Sequence, residues 1–279
     1  MKKSQFIAAG IGLCLVFVIY FGARTVSVKP TSPVSNTQET NTISTDTLLQ
    51  LAKNELNPEQ LVRITSLENL VVRGDIKDQK IATFHQLAHF WKDSAKNFES
   101  YAWFESEIAR LENSEKSLNF AAHLFLDNLR SEQNLSLKKW KAIQAKDLFE
   151  RSLRINPDND SSTVGLGSCY LFGNISDNPM EGIMKIRKVI EKDSNHVYAN
   201  MMLGYGSIIS GQYEKAISRF EKVVKMHPDN LEAILNLAEA FEQKGDKASA
   251  INWYEKSLKL ISVSAYVDEV KHRITELKK

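Results

Sequence analysis

Apolar positions along this chain recur at helical spacing. From Asp46 onward they fall at i, i+3, i+4 and i+7, without the strict alternation that a half-buried strand requires. Asp46 can cap a helix running through about Asn54, and Asn57-Pro58 opens a second that ends near Gly74. An asparagine side chain caps free amides, and proline at the first helical position needs no N–H partner. Further along, "GQYEKAISRFEKVVKMHP" (Gly211–Pro228) is answered by "GDKASAINWYEKSLKL" (Gly245–Leu260). Gly211 faces Gly245, Ala216 faces Ala250 and Phe220 faces Tyr254, each pair 34 residues apart. Such a phrase is a stacking module, because one helical hairpin cannot cover its apolar face alone. The pattern predicts an all-α chain: a helical extension at 46–75, a hairpin array at 76–262 with its clearest copies at 197–230 and 231–264, and a capping helix at 263–279. In that last helix Val267, Val270, Ile274 and Leu277 share one face.

Other copies can be laid on the same frame. Leu166, Gly167, Tyr170, Gly182 and Ile186 fit a copy lengthened by three residues near "NISDNP". Ala145, Phe149, Ser152 and Pro157 form the second helix of another, whose loop is stretched around "SEQNLS". Leu87, Ala88 and Trp91, with Ala102 and Ala109, outline a degenerate first copy. In the best copy, small residues at Gly204 and Ala216 let two helices approach, and Leu203 and Phe220 fill the space between. A turn near Gly211 reverses the chain and Pro228 stops the second helix.

These residues resemble the tetratricopeptide repeat family over about two-thirds of the chain, with Leu237, Ala238, Gly245, Ala250 and Tyr254 repeating the pattern in phase. The resemblance implies an α-solenoid of about four or five hairpins whose first helices line a concave groove for a peptide. Carried over position by position, the groove residues are Tyr198, Met201, Tyr205, Ile208 and Ile209 in the best copy. The copy before it contributes Ser161, Val164, Ser168, Leu171 and Phe172, and the copy after it Glu232, Leu235, Glu239, Glu242 and Gln243. A groove of this kind would be apolar and aromatic in its middle with an acidic flank, suited to a hydrophobic or amphipathic segment. For Ile208 and Ile209, packing against neighbouring helices stands as an equal reading. The basic residues with which the chaperone-binding subclass clamps a terminal carboxylate are missing, Asn236 being the one partial match.

The N-terminus breaks the helical pattern. After a short stretch at 1–5 with Lys2 and Lys3, residues 6–23 carry no charge, and eighteen helical residues span about 27 Å, close to a bilayer's hydrocarbon thickness. The run exceeds the usual apolar core of a signal peptide, and Phe21 or Tyr20 would stand where a cleavage site wants a small residue. The expectation is an uncleaved transmembrane signal anchor, with a cleaved signal as the alternative. Residues 24–45, rich in Ser, Thr, Asn and Pro, read as a disordered tether. The positive-inside bias favours export of the folded domain to the periplasmic side of a bacterial inner membrane, a cytosol-facing domain being the alternative.

Charge and chemistry narrow the function. The chain has 36 Lys and Arg against 34 Asp and Glu, and the excess of two lies wholly in the first fifty residues. A balanced remainder argues against nucleic-acid binding. Cys14 and Cys169 are far apart and no CxxC occurs, so Cys169 reads as a small core residue. His85 and His89 in "HQLAH" have a zinc-compatible spacing, but Gln86 stands where a metalloprotease has glutamate, and no third ligand is evident. The "GLGS" at Gly165–Ser168 lacks the order of a nucleophile elbow, no phosphate-binding GxxxxGK[ST] loop is present, and Glu105 and Glu107 read as a solvated helix face. The expectation is a non-catalytic, cofactor-free, membrane-anchored scaffold that binds proteins or peptides, assisting assembly or secretion in a bacterial envelope. A small-molecule ligand is not expected. The alternatives are a permanent structural subunit of a membrane complex and a metal-binding enzyme using His85 and His89.

Overall fold

The structure is a computed structural model describing residues 42–73, 76–176 and 178–279. Over these residues the chain forms thirteen α-helices and one π-helical turn, with no strand. Helices α1 (Thr45–Asn54) and α2 (Pro58–Arg73) come first. Five hairpins follow. They are α3 (Lys77–His89), prolonged by the π turn Phe90–Ser94, with α4 (Phe98–Glu112); α5 (Glu115–Leu129) with α6 (Leu135–Ile155); α7 (Asp160–Phe172) with α8 (Met180–Lys192); α9 (Val197–Ile209) with α10 (Tyr213–Met226); and α11 (Leu231–Lys244) with α12 (Lys247–Ser257). Helix α13 (Ser264–Leu277) packs on α12. The first helices α5, α7, α9 and α11 also touch one another in series, which gives the array a shared inner face.

Local chemistry sets the helix starts. Asn97, Asn134, Asn159 and Asn230 each accept a hydrogen bond from the backbone N–H three residues on, satisfying an amide that the helix leaves free. At α2, Asn57 accepts from the Gln60 N–H at 2.9 Å while the Gln60 side chain accepts from the Asn57 N–H at 3.1 Å, a reciprocal cap. The cap of α1 is Ser44 rather than Asp46: its hydroxyl accepts from the Thr47 N–H at 3.1 Å, and Asp46 lies in the first turn, where its charge suits the helix dipole. Gly211 and Gly245, with φ of 70° and 90°, make the turns out of α9 and α11 in a region that side chains rarely enter.

Packing between helices depends on missing side chains. A Cβ built on Gly204 would lie 2.6 Å from the Phe220 ring, and one on Gly165 would lie 2.3 Å from the Phe149 ring. Each phenylalanine thus fills the space that its glycine vacates, once within a hairpin (α9–α10) and once between hairpins (α6–α7). Gly167 and Gly182 cross at a closer approach, where a Cβ on Gly182 would meet the Gly167 carbonyl oxygen at 2.2 Å. Their backbones therefore set how near α7 and α8 come. One buried cluster runs from Ala102 to Ala240, a second lies under the first four helices and a third joins α11, α12 and α13. Cys169 is fully buried in the first cluster, where desolvation pushes its thiol far above the ordinary value and leaves it inert.

Two expectations require correction. Among the described residues no helix is long and apolar enough to cross a membrane. The longest, α6, has 21 residues but carries Lys138, Lys139, Lys141, Lys146, Asp147, Glu150, Arg151 and Arg154. This overturns the expected placement as a single-pass membrane protein with an exported folded domain. The segment at 6–23 on which that expectation rested, and the tether up to residue 41, lie outside the described residues. Glu105 and Glu107 are also not a plain solvated face. Burial raises the Glu105 carboxyl above its ordinary value, against the opposing pull of His85 and His89. Glu107 accepts from Arg110 at 2.8 Å, and Arg110 also reaches Asp147 at 3.0 Å and Gln144 at 2.8 Å on α6, tying α4 to α6.

Candidate functional site

The inner face is organised around a polar bridge. Arg130, just past α5, lays its guanidinium over the ring of Tyr205 on α9, 3.7 Å from the centroid. The same guanidinium donates to Glu232 at the start of α11 at 3.1 Å, joining residues 102 apart in sequence. The Tyr205 hydroxyl also donates to Glu232, and Asn236 donates to the Tyr205 oxygen at 3.2 Å. Burial, then the bond to Glu232, pushes the Tyr205 phenol well above its ordinary range, so it stays a neutral donor. Two recesses flank this bridge.

The first recess, about 290 Å³, lies where α5, α7, α9 and α11 meet. Leu126, Phe172, Val197, Tyr198, Met201 and Met202 give it an apolar floor, and Asp127, Arg130 and Glu232 a charged rim. His123 sits behind Tyr198, its ring 5.5 Å from the tyrosine and 5.3 Å from Phe149. Burial lowers the His123 pKa despite Asp127, and burial raises that of Asp127, with Glu232 adding to the rise and His123 and Arg130 opposing it. The Tyr198 hydroxyl is buried and has no hydrogen-bond partner among the described residues. Its burial holds the phenol far above the ordinary value.

The second recess, about 600 Å³, lies between α11 and α13. Leu231, Leu235 and Asn236 form its α11 side together with Glu239 and Gln243, and Tyr266, Glu269 and Val270 belong to its α13 side.

The sequence-derived groove residues divide among these places. Phe172, Tyr198 and Met201 meet in the first recess, Phe172 and Met201 as core residues about as covered as Tyr205; Leu235 and Glu239 lie in the second. Tyr205 is only 8% exposed, under Arg130, and Val164 is fully buried. Leu171 turns to a separate depression beside Met180 and Ile183, its side chain resting on Gly206. Ile208 is half-buried against the main core, whereas Ile209 is 73% exposed. Asp127 and Arg130 were missed, because only the second helix of the α5–α6 hairpin carries the repeat pattern. An i, i+3 acid–base pair at the end of "LFLDNLR" was the available signal. His85 and His89 lie exposed on α3, with His89 Nδ1 3.3 Å from Asp93. Among the described residues no group of three or more His, Cys, Asp or Glu side chains is placed to hold a metal ion.

Comparison with known proteins bears on the C-terminal part most directly. Residues 207–266 match the tetratricopeptide repeat family, a stretch running from the end of α9 into α13. The peroxisomal targeting signal receptor of Candida albicans (strain SC5314 / ATCC MYA-2876) is 32% identical over 104 residues, 37% of this chain and 17% of the receptor. The match thus spans about a sixth of that relative's length. Among solved structures, MamA from Desulfovibrio magneticus RS-1 aligns with a TM-score of 0.42 at 18% identity, covering 67% of this chain and 96% of that one. YrrB, a TPR protein with an unusual peptide-binding site, aligns with a TM-score of 0.41 at 16% identity, covering 74% and 97%.

Proposed function

We propose that this chain is a non-catalytic recognition scaffold whose inner face takes a hydrophobic or amphipathic segment of a partner protein. The carrying observation is the first recess: an apolar floor drawn from consecutive first helices, with Asp127, Arg130 and Glu232 at its rim. Such a surface gives affinity through desolvation of the floor and orientation through the few charges around it. Phe172, Tyr198 and Met201 are the floor contacts. The repeat match at 207–266 and the relative named as a targeting signal receptor support recognition of polypeptide segments. Nothing in these comparisons points to catalysis.

The test is Val197→Glu. Val197 opens α9 and borders the recess, so a carboxylate there suits the helix N-terminus while placing charge on the apolar floor. Peptides selected from a random display library on the native chain are expected to bind the variant at least tenfold more weakly, a change of about 1.4 kcal/mol, with far-UV circular dichroism unchanged. Equal affinity for the two proteins would remove the first recess as the binding site.

A further inference from the structure

The second recess has a chemistry of its own. Helix α13 is anchored through Val270 and Ile274, which pack with Ala238, Ala250 and Tyr254. Its other residues leave an open cleft against α11, with Leu231, Leu235, Ile261 and Val270 supplying apolar surface. Tyr266, which lines the cleft, is 61% exposed.

The charges of the cleft do not cancel. Arg273 is committed to Glu242, donating through Nε at 2.9 Å and through a second guanidinium nitrogen, and Glu242 also accepts from the Tyr254 hydroxyl at 3.0 Å. That triad is internally satisfied. Glu239 and Glu269 line the same cleft and have no ion-pair or hydrogen-bond partner among the described residues. Burial first, and the Glu242 charge second, raise the Glu239 carboxyl above its ordinary value, with Arg273 opposing. Glu239 is exposed to the cleft, and an arriving cation would favour its charged form.

We infer that the α11–α13 cleft binds a short segment of a partner protein in which an aliphatic residue is flanked by lysine or arginine. The aliphatic side chain fills the space between Leu235 and Val270, and the cation meets Glu239 and Glu269. At about 600 Å³ the cleft is the size of pockets that bury drug-sized ligands, room for on the order of three residues. Helix α13 is then a wall of a binding site as well as a cover for the array. The inference rests on the recognition reading above only for the class of partner, since it uses a different recess.

The experiment uses the full chain and three fluorescein-labelled hexapeptides: alternating lysine and leucine, alternating glutamate and leucine, and alternating glutamine and leucine. Anisotropy titrations are expected to show the lysine peptide binding at least tenfold tighter than the glutamate peptide, with the glutamine peptide between them. Raising the salt should weaken the lysine peptide. Glu239→Gln combined with Glu269→Gln should weaken it at least fivefold, and Val197→Glu should not change it. Affinities independent of peptide charge, or unchanged in the double variant, would overturn the inference. So would sedimentation showing a dimer that Tyr266→Asp dissociates, since the occupant would then be a second copy of this chain. If the lysine peptide responds to the double variant while selected peptides ignore Val197→Glu, the first-recess reading fails and this one stands; the reverse pattern separates them the other way.

Discussion

Replacing Phe220 by alanine is expected to cost about 3–5 kcal/mol of stability, among the largest effects of any single substitution in this chain. Its ring is fully buried, touches Tyr205 edge-on at 5.6 Å between centroids, and occupies the volume that Gly204 leaves open. The loss combines the transfer energy of the ring with a cavity at the heart of the α9–α10 hairpin. Gly204→Ala alone is expected to destabilise as well, by about 1–3 kcal/mol, because the new methyl group would sit 2.6 Å from that ring. The pair should be non-additive: in the Phe220→Ala background the Gly204→Ala methyl enters empty space and gains helix propensity, so its cost should vanish or reverse. Urea denaturation of the four proteins measures the coupling. Strict additivity would mean that ring and glycine do not share one volume. Because each hairpin is held chiefly by its neighbours, loss of hydrogen-exchange protection should concentrate in α9, α10 and α11 rather than spread evenly.

This pairing also shows what was legible in the sequence and why. Gly204, Gly211, Ala216 and Phe220, answered 34 residues later by Ala238, Gly245, Ala250 and Tyr254, are local signals. Each states a requirement of one hairpin, so the helices and turns of α9–α12 could be placed by inspection. What eluded inspection depends on contacts distant in sequence. Tyr205 stands at an expected groove position, but nothing near it reveals that Arg130 arrives from two hairpins earlier and covers its ring. The hydrophobic face of α13 marked which side is buried without showing that its companions stand off from α11 and leave a cleft. Even the start of α1 turned on a hydroxyl, Ser44, competing with a more familiar carboxylate two residues away. Burial patterns are written locally, whereas the inner face is made by the winding of several hairpins together.

The same distinction governs Lys141, a charged residue within an amphipathic helix whose side chain is only 3% exposed. Its ammonium lies 2.9 Å from Glu99 on α4 and 2.8 Å from Glu132 in the loop before α6. Glu132 in turn accepts from the Asn134 N–H at 2.8 Å, so the ion triad fixes the extended loop that launches α6. Lys141→Met keeps the apolar stem and removes the charge, stranding two largely buried carboxylates. It is expected to cost about 3 kcal/mol at neutral pH. The pH profile identifies the cause. Burial by itself would raise the Glu132 pKa, but the Lys141 ammonium and the Asn134 N–H outweigh it and hold the group below the ordinary carboxyl value of 4.5. A carboxyl held low in the folded state contributes stability that is present above that value and is lost as pH falls through the folded one. In Lys141→Met the ammonium's pull is gone while the backbone N–H bonds remain, so the Glu132 pKa rises from its native position, the carboxyl takes up its proton more readily, and the cost of stranding it is relieved by acid. The deficit against the native chain should therefore be largest near pH 7 and shrink as pH falls below about 4.5. Adding Glu99→Gln and Glu132→Gln to Lys141→Met should recover much of the loss at neutral pH, since no uncompensated charge then remains buried. A deficit that stays constant from pH 7 to pH 4 would instead assign the cost to packing of the lysine stem, and the loop would owe its shape to something other than the triad.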